Sequence, residues 1–177
     1  MPGDSRLLAF YSAAARDNRG RTLDEILGWS DDELEFTHDY IQWLFPLTDR
    51  SGFNPEAPVL DDATIAAFRE RPQLRQKLHS AFRRMLVFYG FQLQEASEAL
   101  TVVRAGNFKE RSRNWLTPGN HNHLRLTRIL KSLRLLGLEA ESAALFRALE
   151  SIYRDDSAGA SPAISATTFR FWQSAAR

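Results

Sequence analysis

Leu74, Leu78, Phe82, Met85, Leu86 and Tyr89 recur at helical spacing between Pro72 and Gly90, and this stripe constrains the fold more than any other feature of the chain. Residues three and four apart share one helix face, so the pattern predicts an amphipathic helix over 72–89. Pro72 suits its first turn and Gly90 its end. A second stripe, Leu126, Ile129, Leu130, Leu133 and Leu136, predicts a helix opening at Asn120 and capped by Gly137. Leu145, Leu149 and Ile152 predict a third, from Glu139 to about Asp155.

Shorter elements follow from capping signals. Ser5 is placed to cap a helix over 6–15, and Thr22 with Glu25 forms a capping box for a helix ending near Gly28. Ser30 with Glu33 forms another; the helix it opens carries Leu34, Ile41, Leu44 and Phe45 and stops at Pro46. Residues 47–60 hold Gly52, Pro55 and Pro58 and read as a long loop of the functional kind. Asp61 caps a helix over 62–71. Residues 91–106 read as a turn and then a weak helix around 95–103, because Val102-Val103 is too short a β-branched run for a strand. Asn107 opens a helix to Leu116, and Ser161 with Pro162 opens a last one through Trp172. The expected fold class is all-α: a single domain over 1–177 built as a compact bundle of roughly seven to nine helices, with helix 120–136 at its centre against helix 72–89 and the Trp43 helix.

Composition narrows the function. Without cysteine there is no disulfide framework, thiolate metal site or cysteine nucleophile. No apolar run reaches the ~20 residues a membrane span needs, and Met1–Arg6 lacks the apolar core of a signal peptide. The expectation is a complete cytosolic (cytoplasmic) chain. The net charge is only +1, but residues 104–134 hold eight Lys or Arg and one acid, whereas residues 22–45 hold seven acids and no Lys or Arg. Such asymmetry attracts an anionic partner or is matched internally.

Three landmarks identify a resemblance: His38-Asp39-Tyr40-Ile41-Gln42-Trp43-Leu44-Phe45-Pro46, Met85-Leu86-Val87-Phe88-Tyr89-Gly90, and His121 to Leu138 ending in Leu135-Leu136-Gly137-Leu138. Asn114-Trp115 fits as well. In this order, spanning about Ser5 to Phe171, they resemble the conserved N-terminal domain of the opioid growth factor receptor family. The resemblance implies kinship with an animal receptor for an enkephalin peptide, found at nuclear and perinuclear membranes and acting on growth, and unrelated to seven-helix opioid receptors. It implies a bacterial stand-alone member without the animal proteins' repeat-bearing tail. It assigns no catalytic residues.

Two residue groups are candidate sites. His38 and Gln42, at i and i+4, bring polar groups beside the Trp43 indole, an arrangement that suits a small ligand as well as a packed core. Asn120, His121, Arg125 and Arg128 combine a helix N-terminus with cations at i, i+4 and i+7, which suits a phosphate, a carboxylate or a nucleic-acid backbone. The alternative is that these cations neutralise the acidic helix of residues 31–39. The expected function is a non-catalytic binding module for an anionic small molecule or peptide, held in a groove between the Trp43 helix and the 120–136 helix. Nucleic acid is the alternative partner, with Phe108 and Trp115 to stack on bases. A further alternative is an enzyme acting on a phosphorylated small molecule, although no phosphate loop or nucleophile elbow is present. No cofactor or metal is expected: His121 and His123 are two apart, which on a helix point away from each other.

Overall fold

The computed structural model describes residues 5–96, 99–159 and 161–177. Among them are ten α-helices, one 3-10 turn and one antiparallel hairpin. The protein is therefore helix-dominated, but it is not all-α, and its helices outnumber the expected seven to nine. Its internal contacts divide it into two units.

The first unit holds residues up to Arg84 together with Leu135–Gly137. Its helices are α1 (Ser5–Tyr11), α2 (Leu23–Leu27), α3 (Asp31–Phe36), α4 (Ile41–Leu44), α5 (Asp62–Glu70) and the larger part of α6 (Pro72–Tyr89). Both capping boxes form: the Thr22 hydroxyl accepts from Glu25 N and the Ser30 hydroxyl from Glu33 N, each glutamate reaching back to the cap N–H. Asp61 caps α5 through Thr64 N. The Ser5 side chain lies outside the described residues. The single helix expected through Leu34–Phe45 is two, because Thr37 takes an extended conformation (φ −95°, ψ 129°) and ends α3. α4 restarts only at Ile41, and all four of its residues are buried. Aromatic rings fill the core: Phe10 lies 5.2 Å from Trp43 and Tyr11 4.9 Å from Phe68, while the Tyr11 hydroxyl donates to the Leu44 carbonyl.

The second unit holds Met85–Arg134 and Leu138–Arg177. The border between the units thus falls inside α6 and at the last residue of α8 (Asn122–Leu135). After α6 come β1 (Phe91–Ala96) and β2 (Ala99–Arg104), paired from Phe91↔Arg104 to Ala96↔Ala99. This hairpin replaces the turn and weak helix expected over 91–106; Ser97 and Glu98, within that expected helix, lie outside the described residues. Gly90 permits the abrupt change from helix to strand. Its φ is +83°, and a Cβ there would stand 2.9 Å from the Phe108 Cα. The helix expected over 107–116 is shorter: α7 (Phe108–Arg111) and then a 3-10 turn, Ser112–Asn114.

α9 (Glu139–Ser157) packs on β2, and α10 (Ala166–Ala176) packs on α9. α10 does not start at Pro162. Ser165 caps it through Thr168 N, and the Asp156 carboxylate accepts the N–H groups of Ala163 and Ile164, which holds the approach to α10 out of the helix. Leu126, Ile129, Leu130 and Leu133 are buried along α8, as their spacing predicts.

Candidate functional site

The two predicted groups belong to different units. His38, Gln42 and Trp43 lie in the first, and Asn120, His121, Arg125 and Arg128 in the second.

Trp43 is buried, and its indole N–H donates to Asn18 Oδ1 over 3.1 Å. Asn18 Nδ2 in turn donates to Glu56 Oε2 over 3.1 Å. The indole is therefore tied through one exposed amide to the 47–60 loop. Asn18 and Glu56 line a hollow of about 560 Å³, with Arg6, Arg50, Pro55, Ala57 and Val59 as the other walls. Two guanidinium groups and a carboxylate share this space, and Pro55, Ala57 and Val59 supply apolar surface. His38 stands exposed between α3 and α4, so it does not share a helix face with Gln42. Gln42 is buried with its Nε2 3.5 Å from Ser51 Oγ, and its Oε1 has no hydrogen-bond partner among the described residues.

A charge network holds the nearby turn. Asp17, almost fully buried, accepts from the main-chain N–H groups of Arg19 and Arg21 and from Arg21 Nε at 2.7 Å. Arg21 and Arg19 both reach Asp39, at 2.9 and 3.0 Å. Partial burial pushes the Asp39 carboxyl up, but these hydrogen bonds and charges outweigh it and hold the group below the usual carboxylate range. The Asp39 carbonyl accepts from Asn54 Nδ2, which anchors the loop. The acidic stretch also finds cations within its own unit: Asp24 pairs with Lys77, Glu25 with Arg16 and Asp31 with Arg84.

In the second unit the Asn120 amide closes the start of α8. Its Oδ1 accepts from Asn122 N, and its Nδ2 donates to the Asn114 carbonyl and to Thr117 Oγ1. Arg125 is buried; its Nη1 donates to Asn122 Oδ1 over 3.3 Å, and Asn122 also meets the Tyr89 hydroxyl. The Arg125 N–H bonds the His121 carbonyl. Asn120 and Arg125 thus both bond Asn122, while His121 is exposed and Arg128 half-buried. Trp115 is fully buried and donates to the Tyr89 carbonyl, so its ring does not offer a face for stacking. His123 is buried where His121 is exposed. Among the described residues no cluster of three His, Asp or Glu is placed to hold a metal ion.

Asn18, Arg6, Arg50 and Glu56 are absent from the sequence-based site. They are scattered along the chain, and the only signal for them is the length and Pro/Gly content of the 47–60 loop.

The landmark Trp43 segment is thus joined to the charged hollow through Asn18, and Trp115 and His123 are buried in the second unit. Both fall within residues 2–157, which match the family described as the opioid growth factor receptor (OGFr) conserved region. The chain belongs to this family. It is 43% identical to the opioid growth factor receptor of Rattus norvegicus over 149 residues, 82% of this chain and 25% of that protein. It is 42% identical to the Homo sapiens receptor over 149 residues, 82% of this chain and 22% of that protein. It is 41% identical to opioid growth factor receptor-like protein 1 of Xenopus tropicalis over 123 residues, 68% of this chain and 23% of that protein. The chain therefore spans about a quarter of the length of these family members. No solved structure matches it. Among the described residues no helix is long and apolar enough to cross a membrane.

Proposed function

We propose that this family member is a non-catalytic binding module for an anionic or peptide ligand, and that the hollow bounded by Arg6, Asn18, Arg50 and Glu56 receives it. The observation that carries this reading is the convergence of two guanidinium groups and one carboxylate on a space of about 560 Å³, a size typical of small-ligand sites. A carboxylate or phosphate pairs with the arginines, and a peptide ammonium with Glu56. Trp43 acts from behind by fixing Asn18, and Gln42 fixes Ser51 in the same loop; His38 flanks the segment from solvent. The relatives' name, growth factor receptor, fits a peptide. In the second unit, exposed His121 and half-buried Arg128 remain as a separate cationic contact, with Asn120 and Arg125 holding the helix start that presents them.

The test is titration calorimetry with an enkephalin peptide and with inorganic phosphate, on wild type and Arg50→Ala. Arg50 is exposed, so its removal leaves the fold intact. Binding weakened by ~tenfold or more, about 1.4 kcal/mol, supports the reading. Equal binding by the variant, or none by wild type to either probe, refutes it.

The nucleic-acid reading rests on residues 104–134 and loses one of its two stacking rings, because Trp115 is enclosed whereas Phe108 is half-buried. The same titration with a single-stranded oligonucleotide at two salt concentrations tests what is left of it, since phosphate contacts weaken steeply as salt rises.

A further inference from the structure

A second hollow lies in the first unit, where the end of α1 meets the first half of α6. Its volume is about 530 Å³, within the range of small-ligand sites. Helix periodicity builds one wall. Gln73, Gln76, Lys77 and Ser80 stand three and four residues apart and so share one face of α6. Leu74, beside this strip, also lines the hollow and is buried. The end of α1 supplies the other wall with Tyr11, Ser12 and Ala13. Tyr11 is buried as well, and its hydroxyl is committed to the Leu44 carbonyl, which fixes its ring. The buried part of the hollow is therefore apolar and the exposed part polar.

The polar part offers no free charge. Lys77 is the only ionic side chain lining it among the described residues, and Asp24 matches its ammonium at 2.9 Å. Ser12, Gln73, Gln76 and Ser80 are exposed and neutral, and hydroxyls and primary amides both donate and accept. The Ser80 hydroxyl donates to the Gln76 carbonyl over 3.0 Å and keeps its lone pairs. Among the described residues no hydrogen bond occupies the side chains of Ser12, Gln73 or Gln76. A charged ligand loses its hydration here without meeting an open counter-charge. A polyol turns some of its hydroxyls against Tyr11 and Leu74. An uncharged amide with an aliphatic side chain suits both parts: its N–H and C=O meet the rim, and its hydrocarbon meets Tyr11 and Leu74.

A separate observation falls on the same wall. Ala13 has a φ of 59°, and among the described residues no other residue except glycine has a positive φ. The Ala13 N–H bonds the Phe10 carbonyl and the Ala14 N–H the Ala9 carbonyl. Glycine is the common residue at that point of such a helix end, because a Cβ is strained in the left-handed conformation. Strained positions of this kind concentrate at ligand clamps and other working surfaces, and this one lines the hollow.

We propose that this hollow is a second ligand site, selective for an uncharged amide that bears an aliphatic side chain. It is independent of the charged hollow bounded by Arg6 and Arg50, which takes ligands of the opposite character.

Amide NMR titration of the full chain with N-acetyl-leucinamide tests this, beside the charged analogues N-acetyl-leucine and leucinamide and beside glucose. The neutral amide is expected to shift the main-chain signals of Ser12, Ala13, Gln76 and Lys77 in a saturable way. It should bind ~tenfold or more tightly than either charged analogue, whose desolvation nothing offsets. Gln76→Ala removes an exposed side chain without a structural partner, so the fold persists, and it should weaken binding ~threefold or more, as the loss of one neutral hydrogen bond does. Arg50→Ala should leave this binding unchanged. The absence of saturable shifts at these residues, equal binding of a charged analogue or of glucose, or wild-type affinity in Gln76→Ala overturns the proposal.

Discussion

Trp172 donates its indole N–H to the His123 carbonyl over 3.0 Å, while the His123 ring meets the Trp172 ring edge-on at 5.7 Å and donates from Nε2 to the Trp115 carbonyl. One histidine therefore joins α10 to the start of α8 and to the segment after the 3-10 turn. Burial pushes its imidazole below the ordinary histidine value; the hydrogen bond to Trp115 and the charge of Asp156 pull upward without offsetting this.

That shift gives a pH dependence of definite sign. As pH falls through about 6.5 the unfolded chain takes up a proton at this position before the folded chain does. Between that value and the lower folded one, stability falls with falling pH. Urea midpoints measured at neutral and mildly acidic pH should drop for wild type and drop less for His123→Gln.

Asp17 supplies a second prediction. It is nearly fully buried and accepts three hydrogen bonds, two of them from Arg21. Asp17→Ala leaves the half-buried Arg21 without its 2.7 Å partner. The expected loss is ~3–5 kcal/mol, as for other broken buried pairs, read from urea denaturation.

Gly90 should tolerate no side chain. Gly90→Ala combines a left-handed φ of +83° with a 2.9 Å approach to main chain. The expected cost is at least ~2 kcal/mol in thermal or urea unfolding.

Two arginines of α8 should separate. Arg125 is buried on Asn122, so Arg125→Ala should cost ~1–3 kcal/mol through lost packing and the lost hydrogen bond to Asn122. Half-buried Arg128→Ala should cost less than Arg125→Ala. Arg128→Ala is therefore the variant with which to test anion binding in the second unit, because a loss seen with Arg125→Ala reports folding as well.

The long helices were legible because their apolar stripes keep helical spacing over about two turns or more; α6, α8 and α9 lie where Leu74–Tyr89, Leu126–Leu133 and Leu145–Ile152 place them. The caps at Thr22, Ser30 and Asp61 were legible because each signal is local. The hairpin was hidden for a physical reason. Gln, Leu, Glu and Ala in β1 all favour helix, and tertiary packing of Phe91 and Val102 overrides that preference. The alternation Phe91-Gln92-Leu93-Gln94 was the available signal. The break at Thr37 escaped because Leu34 and Ile41 keep helical spacing across it. Of the candidate site, Trp43 was visible as a landmark, but its partner Asn18 was not, since a bond across 25 positions leaves no local trace. Arg125 follows the same logic: its spacing with His121 was legible, its inward direction was not.

The border between the units bears on how the protein can be dissected. It crosses α6 between Arg84 and Met85 and meets α8 at Leu135. A fragment cut there would carry a severed helix whose last carbonyls lose the amides that follow them, and Leu135–Gly137 would be parted from the chain segment they complete. Neither half is a sound candidate for separate expression, and deletion mapping of any binding activity should rely on point substitutions in the intact polypeptide.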